Sequence, residues 1–226
     1  MNVIVVASRK GGSGKSTLTA NLAAHCSKPS RPTMVMDADP QGSLTLWHEL
    51  RSGGEPALKR GGRSMAETVR QAQRDGYAWA FIDTPPNKSS VVTDAIKLAT
   101  LVVIPMRPSL FDLAAVKDTI DACRELNTPY AVVMNAAPAK RNDTEAATVT
   151  VAREALQKAL VPLWSGQITH RSDFSLAIGS GSGAKEFDAG SAATAEISQL
   201  WSAVERSVRA INGAHQTASA MHKAAA

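Results

Sequence analysis

The chain has little that would tie it to a membrane, a metal cluster or an oxidising compartment. Its 226 residues include two cysteines, Cys26 and Cys123. Neither has metal-ligand spacing around it, so free buried thiols in a reducing compartment are expected. No apolar run approaches the roughly 18 residues needed to span a bilayer. The first residues enter a strand-like run without a basic region, apolar core and cleavage site, which argues against a signal peptide. Ala214 to Ala226 offers only Met221 as a bulky apolar residue, too little for a membrane-binding amphipathic helix. Neither charge sign dominates: 25 Lys+Arg stand against 20 Asp+Glu, a net +5. That balance permits a nucleic-acid partner without requiring one.

What is present reads as alternating strands and helices. Apolar runs at Val3–Ala7, Thr33–Met36, Ala78–Ile82, Leu101–Ile104 and Tyr130–Met134 have the continuous hydrophobicity of buried parallel strands, and Leu160–Trp164 is a sixth candidate. Helical segments lie between them at Ser16–Cys26, Ser43–Arg51, Met65–Arg74, Ser89–Leu98, Leu110–Leu126 and Thr144–Leu160. A last helix, about Ser191 to Ile211, places Ile197, Leu200, Val204, Val208 and Ile211 on one face. The rhythm predicts an α/β fold, a doubly wound, mostly parallel sheet with helices on both faces and ligands at the C-terminal strand ends. One domain over 1–212 and a frayed tail over 213–226 are expected. Ser52–Ser64 reads as a basic, glycine-rich surface connection, and Gly179–Gly183 as a flexible turn.

Directly after the first strand comes Lys10-Gly11-Gly12-Ser13-Gly14-Lys15-Ser16-Thr17. A glycine-rich loop opening a helix folds backbone N–H groups around phosphate, aided by the positive helix end. Lys15 is placed to neutralise β and γ phosphates, and the Ser16 hydroxyl to ligate Mg²⁺. The standard pattern wants glycine at position 9, where this chain has Arg9. Asp37 and Asp39 end the second strand and point to one side; one of them is also suited to cap the helix from Ser43. Asp83 ends the third strand, where a carboxylate contacts Mg²⁺ through water. Thr84-Pro85-Pro86 bars an immediate helix there. Asn135 ends the fifth strand, suited either to hydrogen-bond adenine or to serve as a turn residue. The adjoining residues lack a guanine-specific N-K-x-D motif, which favours ATP over GTP.

The loop resembles the deviant form, K-G-G-x-G-K-[ST], that marks the ParA/MinD family of P-loop ATPases. Asp37-Ala38-Asp39-Pro40-Gln41 resembles that family's DxDPQ segment, Phe81 to Pro86 its Walker B strand and switch II, and Leu101 to Asp112 its proline-containing segment. The short form looks most like the small plasmid-partition ParA group. The resemblance implies that Lys10 crosses a homodimer interface to the partner's phosphates, that Asp39 orients the attacking water, and that Asp37 stays near Mg²⁺. It implies catalytic roles for Lys10, Lys15 and Asp39. It also implies an ATP-dependent homodimer on non-specific DNA, stimulated by a cargo-linked adaptor, in a bacterial cytoplasm and associated with the nucleoid.

Candidate DNA contacts are Arg171, Lys185, Arg206 and Arg209, with Lys140 and Arg141 behind them; the basic 51–74 stretch is a rival surface. Arg206 and Arg209 lie one turn apart off the apolar stripe. No helix-turn-helix region is expected before the P-loop. A MinD-like membrane-associated division regulator and a P-loop ATP-dependent ligase are the alternative functions. An electron-carrying reductase would need cluster-ligating cysteines, which Cys26 and Cys123 are not placed to be.

Overall fold

The strands are short and mostly apolar on both faces, several of them rich in β-branched residues, which suits a sheet covered on both sides. A computed structural model describes residues 1–59 and 64–224. In chain order the elements are β1 (Asn2–Val6), α1 (Lys15–Cys26), β2 (Thr33–Asp37), α2 (Ser43–Glu49), β3 (Ala57–Leu58), α3 (Met65–Arg74), β4 (Trp79–Asp83) and α4 (Ser90–Leu98). They continue with β5 (Leu101–Met106), α5 (Leu110–Glu125), β6 (Tyr130–Met134), α6 (Ala147–Lys158), α7 (Ser172–Gly179), α8 (Ala184–Phe187) and α9 (Ala192–Ala224). The sheet is parallel throughout, in the order β3-β2-β4-β1-β5-β6.

Alternate residues of one strand feed opposite cores. Ile4 and Val6 pack with α1, α2, α7 and α9, while Val3 and Val5 pack with α3 to α6. On the first face Trp201 of α9 meets Trp79 edge-on at 4.8 Å. The predicted stripe of α9 is buried from Ile197 to Val208, with Ile211 packed against it. Both cysteines are buried and free. Burial pushes the Cys26 thiol up to about 11 and Cys123 up to about 12, which keeps both unreactive. Among the described residues no helix is long and apolar enough to cross a membrane.

Four local expectations change. Leu160–Trp164 is not a strand of the sheet: the chain turns at Leu160 (φ 52) and Pro162 has no N–H, so only Leu163 bridges to Val132. The sixth strand is instead β3, inside the presumed connection, where Ala57 and Leu58 pair with Met34 and Val35. Residues 60–63 of that connection lie outside the described residues. The Gly179–Gly183 turn is packed: Arg51 donates to the Gly181 carbonyl at 2.8 Å and Trp47 to that of Ser182 at 3.1 Å. Finally, α9 spans Ala192–Ala224, longer than the expected helix over about Ser191 to Ile211. Ala214, Ala218, Ala220 and Ala224 make this stretch a strong helix former.

Candidate nucleotide-binding site

The loop after β1 turns through two glycines with left-handed backbone, Gly12 (φ 72) and Gly14 (φ 89). Gly14 is the N-cap of α1, with no side-chain cap and no acidic residue in the first turn. The first N–H groups of α1 are therefore left for a ligand, and the helix end favours an anion. A Cβ on Gly14 would meet Asn135 Nδ2 at 2.3 Å, so glycine is required there on two counts. Asn135 Nδ2 donates to the Ser13 carbonyl at 2.7 Å, tying β6 to the loop. Ser13 is fully buried, and its hydroxyl has no partner among the described residues.

Lys15 is 6 % exposed and reaches back to the Lys10 carbonyl at 3.3 Å. Burial lowers its pKa; Asp83 and Asp39 pull it back up. The ammonium is thus held dry, facing two carboxylates. Lys10 itself is exposed and makes no ion pair among the described residues.

Asp37 and Asp83 are direct partners across β2 and β4. Their environments differ. Asp37 accepts from the Asp39 N–H at 3.1 Å and the Thr45 N–H at 2.8 Å. It caps α2, whose own N-cap, Gly42, has no side chain to do so. Asp39 accepts from the Gln41 N–H at 3.0 Å, which shapes the turn. Asp83 has no exposure, and neither of its oxygens has a hydrogen-bond partner among the described residues. Burial is the main cause that lifts its pKa to about 7, with Asp37 and Asp39 adding repulsion. The nearby Ser16 hydroxyl favours the carboxylate without being set as a donor, and Lys15 helps it as well.

An orphaned buried carboxylate beside a serine hydroxyl fits a hard cation such as Mg²⁺. No cluster of three or more His, Cys, Asp or Glu suited to a metal occurs among the described residues. A cation held by Ser16 and Asp83 would draw its other ligands from phosphate and water, as Mg²⁺ prefers. Asp37, already accepting two backbone N–H bonds, is better placed to orient that water than to bind directly.

Beside the loop lies a cavity of about 180 Å³, lined by Gly14, Thr17, Asn135, Arg107, Ile168 and Phe174 among others. It has an apolar wall and a polar rim, which suits a base and ribose. Asn135 lines it with its amide nitrogen already committed to Ser13, leaving Oδ1 as its acceptor there. Sequence reading missed α7, which brings Phe174 to the cavity. The signal was present: Asp173 in a first turn, then Phe174, Ala177 and Ile178 at helical spacing.

The basic candidates separate. Arg171 is not a free surface cation: it binds Glu196 at 2.9 Å, lines the cavity, and Glu196 also accepts the Thr169 N–H at 2.9 Å. Lys140 lies 3.8 Å from Glu145. Arg141 is drawn into a backbone bridge with Thr144. Lys185 on α8 is exposed, as are Arg206 and Arg209 on α9, which make no ion pair among the described residues.

A family model described as the CobQ/CobB/MinD/ParA nucleotide binding domain matches residues 4–182. The ParA protein of Rhizobium radiobacter is 37% identical over 115 residues, 50% of this chain and 51% of that protein. The chain thus spans about half the length of that relative. The maintenance of carboxysome distribution protein A of Halothiobacillus neapolitanus is 25% identical over 203 residues, 87% of this chain and 93% of that protein. A solved ATP complex of a variant McdA from Cyanothece superposes with a TM-score of 0.71 at 16% identity, covering 92% of this chain and 96% of that one.

Proposed function

The chain belongs to the CobQ/CobB/MinD/ParA nucleotide-binding family, and from that premise we propose that it is an ATP-hydrolysing switch that partitions DNA or positions a protein cargo. The observation that carries this reading is the unpartnered carboxylate of Asp83, buried opposite Lys15 at the mouth of a phosphate-type loop.

In this reading the α1 N–H groups and Lys15 bind the phosphate chain, and Ser16 and Asp83 hold Mg²⁺, with Asp37 orienting its water. Gly11, Gly12, Ser13, Gly14 and Thr17 shape the cradle. A Mg²⁺ held by Ser16 and Asp83 would supply positive charge to phosphate oxygens on which negative charge develops. Asp39, half-buried with one oxygen uncommitted, orients the attacking water. Lys10 is exposed at the start of the loop and pairs with no anion among the described residues. It acts on the nucleotide of a second copy, adding positive charge where the transition state needs it. ATP therefore favours a homodimer. That dimer binds DNA non-specifically through exposed cations such as Arg206 and Arg209, in the cytoplasm and on the nucleoid. A cargo-linked adaptor orders the site and accelerates an otherwise slow turnover.

The test is duplex DNA binding with ATP–Mg²⁺ against ADP–Mg²⁺ across a salt series, with mass measured in parallel. Expected are a dimer and steeply salt-dependent binding with ATP only. Equal binding in both nucleotides, or none, removes the switch. Lys10→Ala should abolish the ATP-dependent dimer, while Asp39→Ala should bind ATP and dimerise but not hydrolyse.

A further inference from the structure

Arg107 follows β5 directly, between Pro105 and Pro108. β5 pairs with β1, Val103 beside Val6, so the loops leaving both strands emerge together. The side chain lines the same cavity as Gly14, Thr17 and Asn135. Its Nη2 lies 3.7 Å from where a Cβ on Gly12 would sit. Two other arginines near the loop have carboxylates: Arg9 binds Asp118 at 2.6 Å and Arg171 binds Glu196 at 2.9 Å. Arg107 is exposed, its carbonyl accepts from the Ser109 N–H at 2.8 Å, and its guanidinium has no hydrogen bond or ion pair among the described residues.

That placement is unfavourable within the protein itself. A guanidinium stands beside the loop that caps the positive end of α1, with no counter-charge among the described residues. A proline on each side restricts how far its backbone can swing away. The same loop buries the unpartnered Ser13 hydroxyl, and Asp83 stands close by without a donor. All three groups lack what a polyphosphate with its cation would bring.

We infer that Arg107 is a phosphate-contacting residue of this chain's own nucleotide site, its planar fork closing over non-bridging oxygens of the phosphate chain. It rests on the nucleotide reading above. It adds a second cation from β5 to the one from the P-loop, and makes affinity depend on the loop after β5. The ligand class is a nucleoside di- or triphosphate. ADP suffices to test it, because the reading keeps the ADP form monomeric and so isolates the chain's own arginine.

The experiment measures ADP–Mg²⁺, ATP–Mg²⁺ and GTP–Mg²⁺ affinity by calorimetry for the unaltered chain, Arg107→Ala and Arg107→Lys, with a thermal melt of each nucleotide-free protein. Arg107→Ala should weaken ADP and ATP about tenfold or more. Arg107→Lys should recover part of the loss, the ATP-to-GTP affinity ratio should stay unchanged, and neither substitution should lower the melting temperature of the nucleotide-free protein. If the unaltered chain binds ADP and Arg107→Ala binds it within about twofold, the inference fails while the nucleotide reading stands. A changed ATP-to-GTP ratio would show the arginine reading the base and overturns it. So does a lowered melting temperature that Arg107→Lys shares, which makes the loss structural. If the unaltered chain binds no nucleotide, the functional reading falls and this inference with it.

Discussion

A carboxylate without exposure or donors stays in a fold only against its own desolvation, and Asp83 is such a group. Its folded pKa of about 7 lies above the ordinary aspartate value of 3.8. The folded state therefore holds the proton more tightly than the unfolded one. This contribution is fully present below about pH 4 and is lost as pH rises through about 7. Asp83→Asn should raise the stability of the nucleotide-free protein at pH 8 by roughly 2 kcal/mol. It should flatten the pH profile and abolish Mg²⁺-dependent nucleotide binding. Urea melts at pH 5 and pH 8 check this, and an unchanged pH profile counts against it. Gly14 offers a second residue-scale test. With φ 89 and Asn135 at 2.3 Å from any Cβ, Gly14→Ala should cost about 1–2 kcal/mol in backbone strain alone and eliminate nucleotide affinity. Gly11→Ala, which meets nothing within 4 Å, should change stability by less than about 0.5 kcal/mol. The glycine pattern was readable from the chain; that Asn135 occupies the space behind Gly14 was not, because the two are joined only by folding.

At the scale of elements, Arg51 decides how the helices on the α1 face are fastened. Its side chain is 8 % exposed. It donates to the Glu55 carbonyl at 3.0 and 2.6 Å, to the Gly181 carbonyl at 2.8 Å and to both Glu186 oxygens at 2.9 and 2.8 Å. It also lies over Trp47 at 4.7 Å. α2, the approach to β3 and the α7–α8 turn thus meet on one guanidinium. Gly181 (φ 71) presses on the Leu50 backbone, where a Cβ would come within 2.4 Å. Arg51→Ala should destabilise by about 1–2 kcal/mol, because it strands the buried Gly181 carbonyl and removes the packing of the guanidinium on Trp47, while Glu55 and Glu186 remain open to water. Arg51→Lys should recover little, lacking the fork. Denaturant unfolding of both variants decides. Burial works against the Glu186 carboxylate, yet Arg51 and the Gly183 N–H hold it below the usual range. The stability it contributes is present at neutral pH and is lost as pH falls through that lowered value. From sequence, Arg51 was a helix end and part of a basic stretch. Nothing local distinguishes a solvated arginine from one whose acceptors lie 130 positions away.

For the whole molecule the question is where the net charge of +5 is usable. Arg171 is spent on Glu196, and Arg31 on Glu205, with its guanidinium 5.8 Å from Trp201. Arg206 and Arg209 remain exposed on α9. On the proposed function, their joint replacement by alanine should weaken DNA binding with ATP and reduce the log–log salt slope by about 2. Arg171→Ala should leave that slope unchanged and lower stability instead. Filter binding at four salt concentrations tests both; an unchanged slope in the α9 double variant removes α9 as the proposed DNA face.

Sequence alone determined the parallel α/β plan, the phosphate loop and the carboxylates at the strand ends. Each is a local matter: β-branched runs specify strands, glycines permit left-handed turns, and prolines stop helices. It was enough to place Lys15, Ser16 and Asp83 at one end of the sheet, because parallel strands carry their C-terminal ends to the same side. Tertiary structure decided the rest. It turned Asp37 into the cap of α2, left Asp83 without a donor and the Arg107 guanidinium without a partner among the described residues, set Arg171 against Glu196, and made Ala57–Leu58 the edge strand in place of Leu160–Trp164. These outcomes depend on which groups distant in the chain are brought within hydrogen-bond reach and how much water they keep, and those quantities exist only once the chain has packed.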